Sequence, residues 1–164
     1  MRKNLFIGLL SLVLIAGSAL ISAGSAEASS RSLKKFGISI SLLGDPAPSF
    51  VGYNIHYNLT SFMRLNAGYG SFLAGSTYGG GARFFVPDWN FSPFVGLSYA
   101  KFNISGTLTS DSGTAGLLVS QSYAYASYGF DWQTDYGLNF AFGVNQIFVS
   151  DTTMLPFFSL GWFF

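Results

Sequence analysis

The last ten residues, Leu155–Phe164, read LPFFSLGWFF, and their pattern decides the fold. Half of these residues are aromatic, and large apolar residues alternate with other side chains up to the last position. Alternation with a period of two predicts a β-strand whose two faces meet different surroundings. A chain end that exposes so many rings to water would aggregate, so one face of this strand is expected to meet an apolar environment. The alternating residues are Phe158, Leu160, Trp162 and Phe164.

The composition of the whole chain narrows the class of protein. The 164 residues are 18% aromatic and only 9% charged, with 20 glycines, a formal net charge of +1 and no cysteine. So many rings argue against intrinsic disorder, and the absence of a basic cluster argues against nucleic-acid binding. Without cysteine, the chain forms no disulfide, thiolate metal site or lipidated cysteine. The length indicates one domain.

The N-terminus has the layout of a secretory signal peptide. Arg2 and Lys3 precede an apolar segment near Leu5 to Ile15, and Ala26-Glu27-Ala28 has the small-x-small pattern of a cleavage site. We predict a cleaved signal peptide over residues 1–28 and a mature domain over residues 29–164. The alternative is an uncleaved membrane anchor, because the apolar character fades slowly towards Ala23.

The mature chain offers no apolar run of the ~20 residues that a membrane-spanning helix needs. Period-two alternation recurs instead, and Gly, Pro, Asn and Asp clusters divide it into eight candidate strands. A Ser/Thr/Gly-rich loop is predicted over 103–122, with Leu117 to Val119 as a candidate strand extension. The predicted strands lie near 34–43, 49–58, 62–72, 78–86, 91–103, 122–132, 136–148 and 154–164.

The two faces of these strands differ in side-chain size and polarity, and this difference indicates which face points into the barrel. One face is bulky and apolar, whereas the other carries glycines, small polar residues, Arg64 and Arg83. A soluble barrel has its bulky groups inside, but here the small and polar face is the one that fits a narrow interior. An apolar exterior around a polar interior is what a lipid bilayer requires. Six rings share the predicted interior face: Phe50, Phe85, Phe94, Tyr125, Phe157 and Phe163.

Two segments carry a family resemblance. The chain end, with Phe158, Leu160, Trp162 and Phe164, resembles the signal that the barrel-assembly machinery recognises, and Ser92–Leu97 (SPFVGL) resembles a fifth-strand pattern. The chain is similar to small outer-membrane β-barrels of Gram-negative bacteria: the outer-membrane protein A transmembrane domain, the opacity proteins and the outer-membrane protein W group. This resemblance implies an all-β, eight-stranded antiparallel up-and-down transmembrane β-barrel in the cell outer membrane.

If Phe164 lies at the periplasmic side and the number of strands is even, the mature N-terminus is expected at the periplasmic side too. Short periplasmic turns are expected near 59–61, 87–90 and 133–135. External loops are expected near 44–49, 73–77, 103–122 and 149–153. Lys101 is outward-facing and is placed at the far end of its strand, where a lysine reaches the interface.

Strand parity also predicts a polar cluster in the lumen. Its charged members need buried partners, and an eight-stranded barrel is narrow enough for side chains to fill it. We therefore predict a polar plug that stabilises the barrel and blocks ions, with a selective pore or gate as the alternative. The cluster comprises His56, Arg64, Arg83, Asp131, Asn54, Asn66 and Asn139.

The sequence gives little support for enzymatic activity or metal binding. His56 is the single histidine of the mature chain, which has no glutamate, and Asp111-Ser112 is expected on the opposite side of the membrane from His56. Acyl transfer needs a nucleophile, a base and an orienting group, and we predict no catalytic residue. Scattered Asp45, Asp111 and Asp151 have no metal-ligand spacing, so neither a metal nor a cofactor is predicted.

The predicted function is therefore a non-enzymatic outer-membrane barrel with an envelope-structural or surface-interaction role. The alternatives are a narrow channel for small or apolar solutes, a lipid-modifying enzyme, and a membrane subunit of a larger envelope assembly. The expected partners are outer-membrane lipid and lipopolysaccharide, the barrel-assembly machinery during insertion, and a protein partner in the membrane, but no nucleic acid.

Overall fold

A computed structural model describes residues 29–72, 75–110, 113–148 and 153–164. The predicted signal peptide, residues 1–28, lies outside the described residues, so its cleavage stays a prediction. Among the described residues, no helix is long and apolar enough to cross a membrane.

Eight strands form a closed barrel in which each strand is hydrogen-bonded to its sequence neighbours and β1 pairs with β8. All pairs are antiparallel, which confirms the predicted up-and-down barrel. One helical turn, α1 (Ser30–Leu33), precedes the barrel. The strands are β1 (Phe36–Leu42), β2 (Val51–Asn58), β3 (Met63–Phe72), β4 (Gly75–Phe85), β5 (Phe91–Ser110), β6 (Gly113–Gln133), β7 (Leu138–Ile147) and β8 (Thr153–Phe163).

The chain end closes the barrel as its alternation predicted. Ile40 of β1 lies opposite Leu160 of β8, and Ile38 lies opposite Trp162. The backbone N–H of Phe164 donates to the carbonyl of Phe36 at 2.7 Å, so pairing continues to the last residue. Closure leaves neither β1 nor β8 as a free edge.

Burial alternates along the strands and shows which face points inward. Residues of β1 and β2 alternate strictly between exposed and buried, with the apolar residues exposed and the small or polar ones buried. One predicted interior ring is not buried in the barrel: Phe50 lies just before β2 and is 58% exposed. It belongs to the β1–β2 connection, where strand parity does not apply.

The predicted loop over 103–122 is also wrong for most of its length. β5 and β6 continue as a paired hairpin to Ser110 and Gly113. Ser, Thr and Gly indicate a loop by composition, but a continuous antiparallel ladder satisfies the backbone, and β-branched residues such as Ile104 and Val119 suit it. Lys101 is consequently in the middle of its strand, opposite Tyr78 and Ser122, and not at the strand end.

Candidate functional site

The lumen contains a charged network centred on Asp131 of β6, whose side chain is fully buried. Arg31 Nη2 donates to Asp131 Oδ1 at 2.8 Å, and Arg64 Nη1 donates to Asp131 Oδ2 at 2.7 Å. Asn139 Nδ2 adds a bond to Oδ1 at 3.0 Å. A carboxylate with charge-assisted bonds on both oxygens can remain ionised inside a protein. The network therefore links the N-terminal segment to β3, β6 and β7.

Arg83 of β4 connects this network to a second buried carboxylate. Its Nη2 donates to Asp45 Oδ2 at 2.8 Å, while its Nη1 lies 3.8 Å from Asp131 Oδ2. Asp45 also accepts bonds from the Tyr125 hydroxyl at 2.6 Å and the Ser98 hydroxyl at 3.2 Å. Asp45 comes from the connection 44–49, which was predicted to be an external loop but folds into the barrel with Asp45 and Ala47 fully buried. The positive charge of Arg83 explains this burial, because among the described residues no other carboxylate lies as close to its guanidinium group.

Inward-facing rings lie against the guanidinium groups. Arg64 lies over Phe163 at 4.4 Å from the ring centroid, and Arg83 lies over Phe94 at 4.5 Å. Arg31 lies over Phe85 at 4.4 Å. A cation over a ring face in a desolvated site is attracted by about 2 kcal/mol. These rings thus compensate part of the cost of burying the arginines.

The segment before β1 covers the barrel end at which β1 begins and β8 ends. Arg31 donates to the backbone carbonyls of Trp89 and Asn90, and Ser30 Oγ donates to the carbonyl of Gln133 at 2.9 Å. Gln133 Nε2 donates back to the Ser30 carbonyl at 3.0 Å. α1 therefore places Ser30 and Arg31 in the lumen at this end, while its last residue, Leu33, is exposed.

The remaining predicted cluster residues form a separate neutral chain. His56 lies between Ser39 Oγ, 2.8 Å from Nε2, and Asn66 Oδ1, 2.8 Å from Nδ1. Because a carbonyl oxygen only accepts, Nδ1 is the donor to Asn66. Asn54 Nδ2 donates to both Ser39 and Ser41, at 3.2 Å and 3.0 Å.

This chain has the order of a nucleophile, a base and an orienting group, and its serine has further hydrogen-bond partners. Ser39 Oγ accepts bonds from Asn54 Nδ2 and from Ser159 Oγ, at 3.2 Å and 3.0 Å, and it is also hydrogen-bonded to His56 Nε2. The residue is only 6% exposed. Both lone pairs of the Ser39 hydroxyl oxygen therefore already face hydrogen-bond donors.

The structure places all seven predicted cluster residues in the lumen but divides them into these two groups. Sequence reasoning missed Arg31, Asp45, Asn58 and Gln133. Asn58 accepts from Arg64 Nε at 2.8 Å, and Gln133 accepts from Arg64 Nη2 at 2.9 Å. Asn58 comes two residues after His56, and Gln133 comes two residues after Asp131, so each lies on the same inward face of its strand. This alternation is the signal that could have found them. Arg31 and Asp45 lie outside the strands and carry no such signal.

Within the described parts of the chain, no three acidic or histidine side chains are grouped to hold a metal ion. Asp111-Ser112 and Asp151 lie outside the described residues.

The barrel is similar to one in a solved structure. The chain is similar to the N-terminal β-barrel domain of OprF from Pseudomonas aeruginosa, with a TM-score of 0.63 and 16% sequence identity. The match covers 80% of this chain and 98% of the OprF chain. The two share one barrel fold. No family model matches the chain, and no curated protein matches its sequence.

Proposed function

We propose that this protein is an outer-membrane β-barrel that does not conduct ions and has an envelope-structural or surface-interaction role without enzymatic activity. The observation that carries the proposal is the inverted distribution of side chains: an apolar outer wall around a charged, hydrogen-bonded lumen.

The outer wall supports membrane insertion. Large apolar side chains such as Tyr53 and Leu97 are 61% exposed, and similar residues follow every strand around the barrel. In water this surface would far exceed the apolar patches of a monomer, whereas in a bilayer it meets acyl chains. Exposed aromatic residues at the rim near the termini suit a membrane interface: Tyr57, Trp89, Trp132, Tyr136 and Trp162. The likeness to the OprF barrel agrees with an outer-membrane barrel of the outer-membrane protein A type.

The lumen supports the absence of conduction. Arg31, Arg64, Arg83 and Asp131 fill the cross-section near the chain termini, and the connection 44–49 fills the next level. Ions need a continuous aqueous path through the lumen. The described residues place ion-paired side chains in that path.

The wild-type barrel in planar lipid bilayers is expected to show no steady single-channel conductance. The Arg64→Ala/Arg83→Ala double variant is expected to show openings, because it removes the two side chains that fill the centre. Lys101→Ala, which removes a positive charge from the outward face, is the matched control and should remain silent. A steady large conductance in the wild type would contradict the proposal.

The chain end is expected to direct assembly. Phe164→Asp should lower the amount of folded, heat-modifiable barrel in the outer-membrane fraction several-fold, because the change removes the terminal ring that the assembly machinery is expected to recognise. Tyr136→Asp, an exposed ring at the same rim, is the control and should leave the amount unchanged. Folding of the purified Phe164→Asp chain into detergent micelles should be close to wild type. Equal yields of the two variants in cells would count against the assembly role.

A further inference from the structure

We infer that the barrel end remote from the start of β1 and the end of β8 contains a binding site for an uncharged, ring-containing apolar molecule. An open cavity of about 470 Å³ lies there. This volume falls within the range of small-molecule sites, about 300–1,000 Å³. Its lining comprises Leu43, Pro48, Ser49, Phe50, Phe72, Phe102, Ile104, Gln121, Tyr123, Ile147 and Leu155.

The floor of this cavity is a fixed part of the fold. It consists of the β1–β2 connection, which contributes Leu43, Pro48 and Phe50. The connection is held from below by the Asp45–Arg83 ion pair at 2.8 Å, and from the side by Asn145 Nδ2, which donates to the Gly44 carbonyl at 3.2 Å. A ligand therefore meets a surface that is already formed and has little ordering cost.

The walls are apolar where the rest of the lumen is polar. Phe72 and Phe102 stack with their centroids 4.3 Å apart, and Tyr123 lies 6.2 Å from Phe102. Ile147 packs with Tyr125, and Leu155 lies against the same group. These side chains lie on the inward faces of their strands. At the other end of the barrel, the same inward faces carry Arg64, Asp131 and their partners. A transmembrane barrel needs a polar interior where water enters, so an apolar lining at an open mouth indicates a ligand.

The lining also restricts the chemistry of that ligand. None of the described lining residues is charged, so a ligand ion would lose its hydration without a counter-charge. Gln121 and Tyr123 are the polar side chains that the walls offer, enough for one or two hydrogen bonds. Several rings favour a planar partner, because offset stacking adds attraction beyond the burial of area.

The position of the floor makes this a site for binding and not for passage. Beneath the floor lie Asp45, Arg83 and Asp131, each with charged partners. An apolar molecule that moved deeper would break these pairs, so it is expected to bind and leave through the same mouth.

The test is a solution NMR titration of the barrel in lipid nanodiscs with N-phenyl-1-naphthylamine, an uncharged two-ring probe. Saturable shifts are expected at the backbone amides of Phe72, Phe102, Ile147 and Leu155. The sulfonated analogue 8-anilino-1-naphthalenesulfonate should bind roughly tenfold more weakly or worse, because none of the described lining residues is a cation. Shifts confined to outward residues such as Leu97 would mean partition into lipid and would overturn the inference.

Phe102→Asp should weaken binding of the uncharged probe by roughly tenfold or more, since it places a carboxylate against the ligand. Tyr136→Asp, at the opposite rim, is the matched control and should bind like the wild type. Unchanged amide shifts around Asp131 would show that the Phe102→Asp barrel is folded. If it is not folded, the milder Phe102→Ala variant is used for the same binding measurement. Equal affinity in the Phe102 variants and the wild type would refute the site. Tighter binding of 1-decanol than of the ring probe would assign the cavity to an alkyl chain, such as lipid supplies, and would overturn the ring assignment.

Discussion

Asp131→Asn is expected to lower the free energy of unfolding of the barrel by about 3–5 kcal/mol, the usual cost of removing one partner from a buried ion pair. Asp131 faces three guanidinium groups, with Arg31 at 2.8 Å, Arg64 at 2.7 Å and Arg83 at 3.8 Å. The asparagine keeps the volume but carries no charge, so Arg31 and Arg64 would be left without a buried counter-ion. Asp45 cannot replace it, because it is already bonded to Arg83, Ser98 and Tyr125.

The measurement is urea unfolding of barrels refolded into lipid vesicles, followed by gel mobility of heated and unheated samples. Asp88→Asn is the matched control, because Asp88 lies exposed in a turn at φ 62°, a conformation that asparagine tolerates. Adding Arg31→Gln to Asp131→Asn should recover part of the loss by removing one surplus positive charge. If Asp131→Asn unfolds at the same urea concentration as Asp88→Asn, the network does not stabilise the barrel.

Strand parity predicted the side on which each strand residue lies, because a period of two propagates without drift along a whole strand. The decision that the bulky apolar face, which includes Phe158, Leu160 and Trp162, points outward also fixes the inward face of every other strand. It therefore places Arg64, Arg83 and Asp131 in the lumen. The same reasoning placed Phe85 and Phe163 in the lumen. It could not show that they lie against Arg31 and Arg64, because those contacts join different strands and depend on the stagger of the closed barrel.

The segments without periodicity were beyond prediction. Asp45 follows a glycine and precedes a proline, a composition that indicates a surface turn, yet the attraction of Arg83 draws it inside. Arg31 is the third residue after the predicted cleavage site and has no strand to orient it. The paired hairpin beyond Lys101 was missed for a related reason: Ser, Thr and Gly indicate a loop by composition, and only the register between the two strands shows that their backbone groups are paired.

Leu97→Arg is expected to destabilise the inserted barrel by about 2–4 kcal/mol if the residue lies near the middle of the bilayer. Leu97 is 61% exposed, and its neighbours across the sheet, Ala82 and Ala126, also face outward. These neighbours are small and uncharged, so they offer an arginine neither a counter-charge nor a hydrogen-bond acceptor. The guanidinium would have to be hydrated by distorting the bilayer.

The same unfolding measurement in vesicles separates a membrane wall from a water-exposed one. Tyr136→Arg is the matched control, since Tyr136 is 83% exposed but lies in the β6–β7 turn at the barrel rim, where arginine remains hydrated. In a water-soluble barrel both substitutions would replace an exposed apolar group by a charged one, and both would be neutral or would improve solubility. A large loss for Leu97→Arg beside a negligible one for Tyr136→Arg therefore identifies lipid as the surroundings of the wall. Equal, small effects would contradict membrane insertion, and the aromatic chain end would then need another explanation.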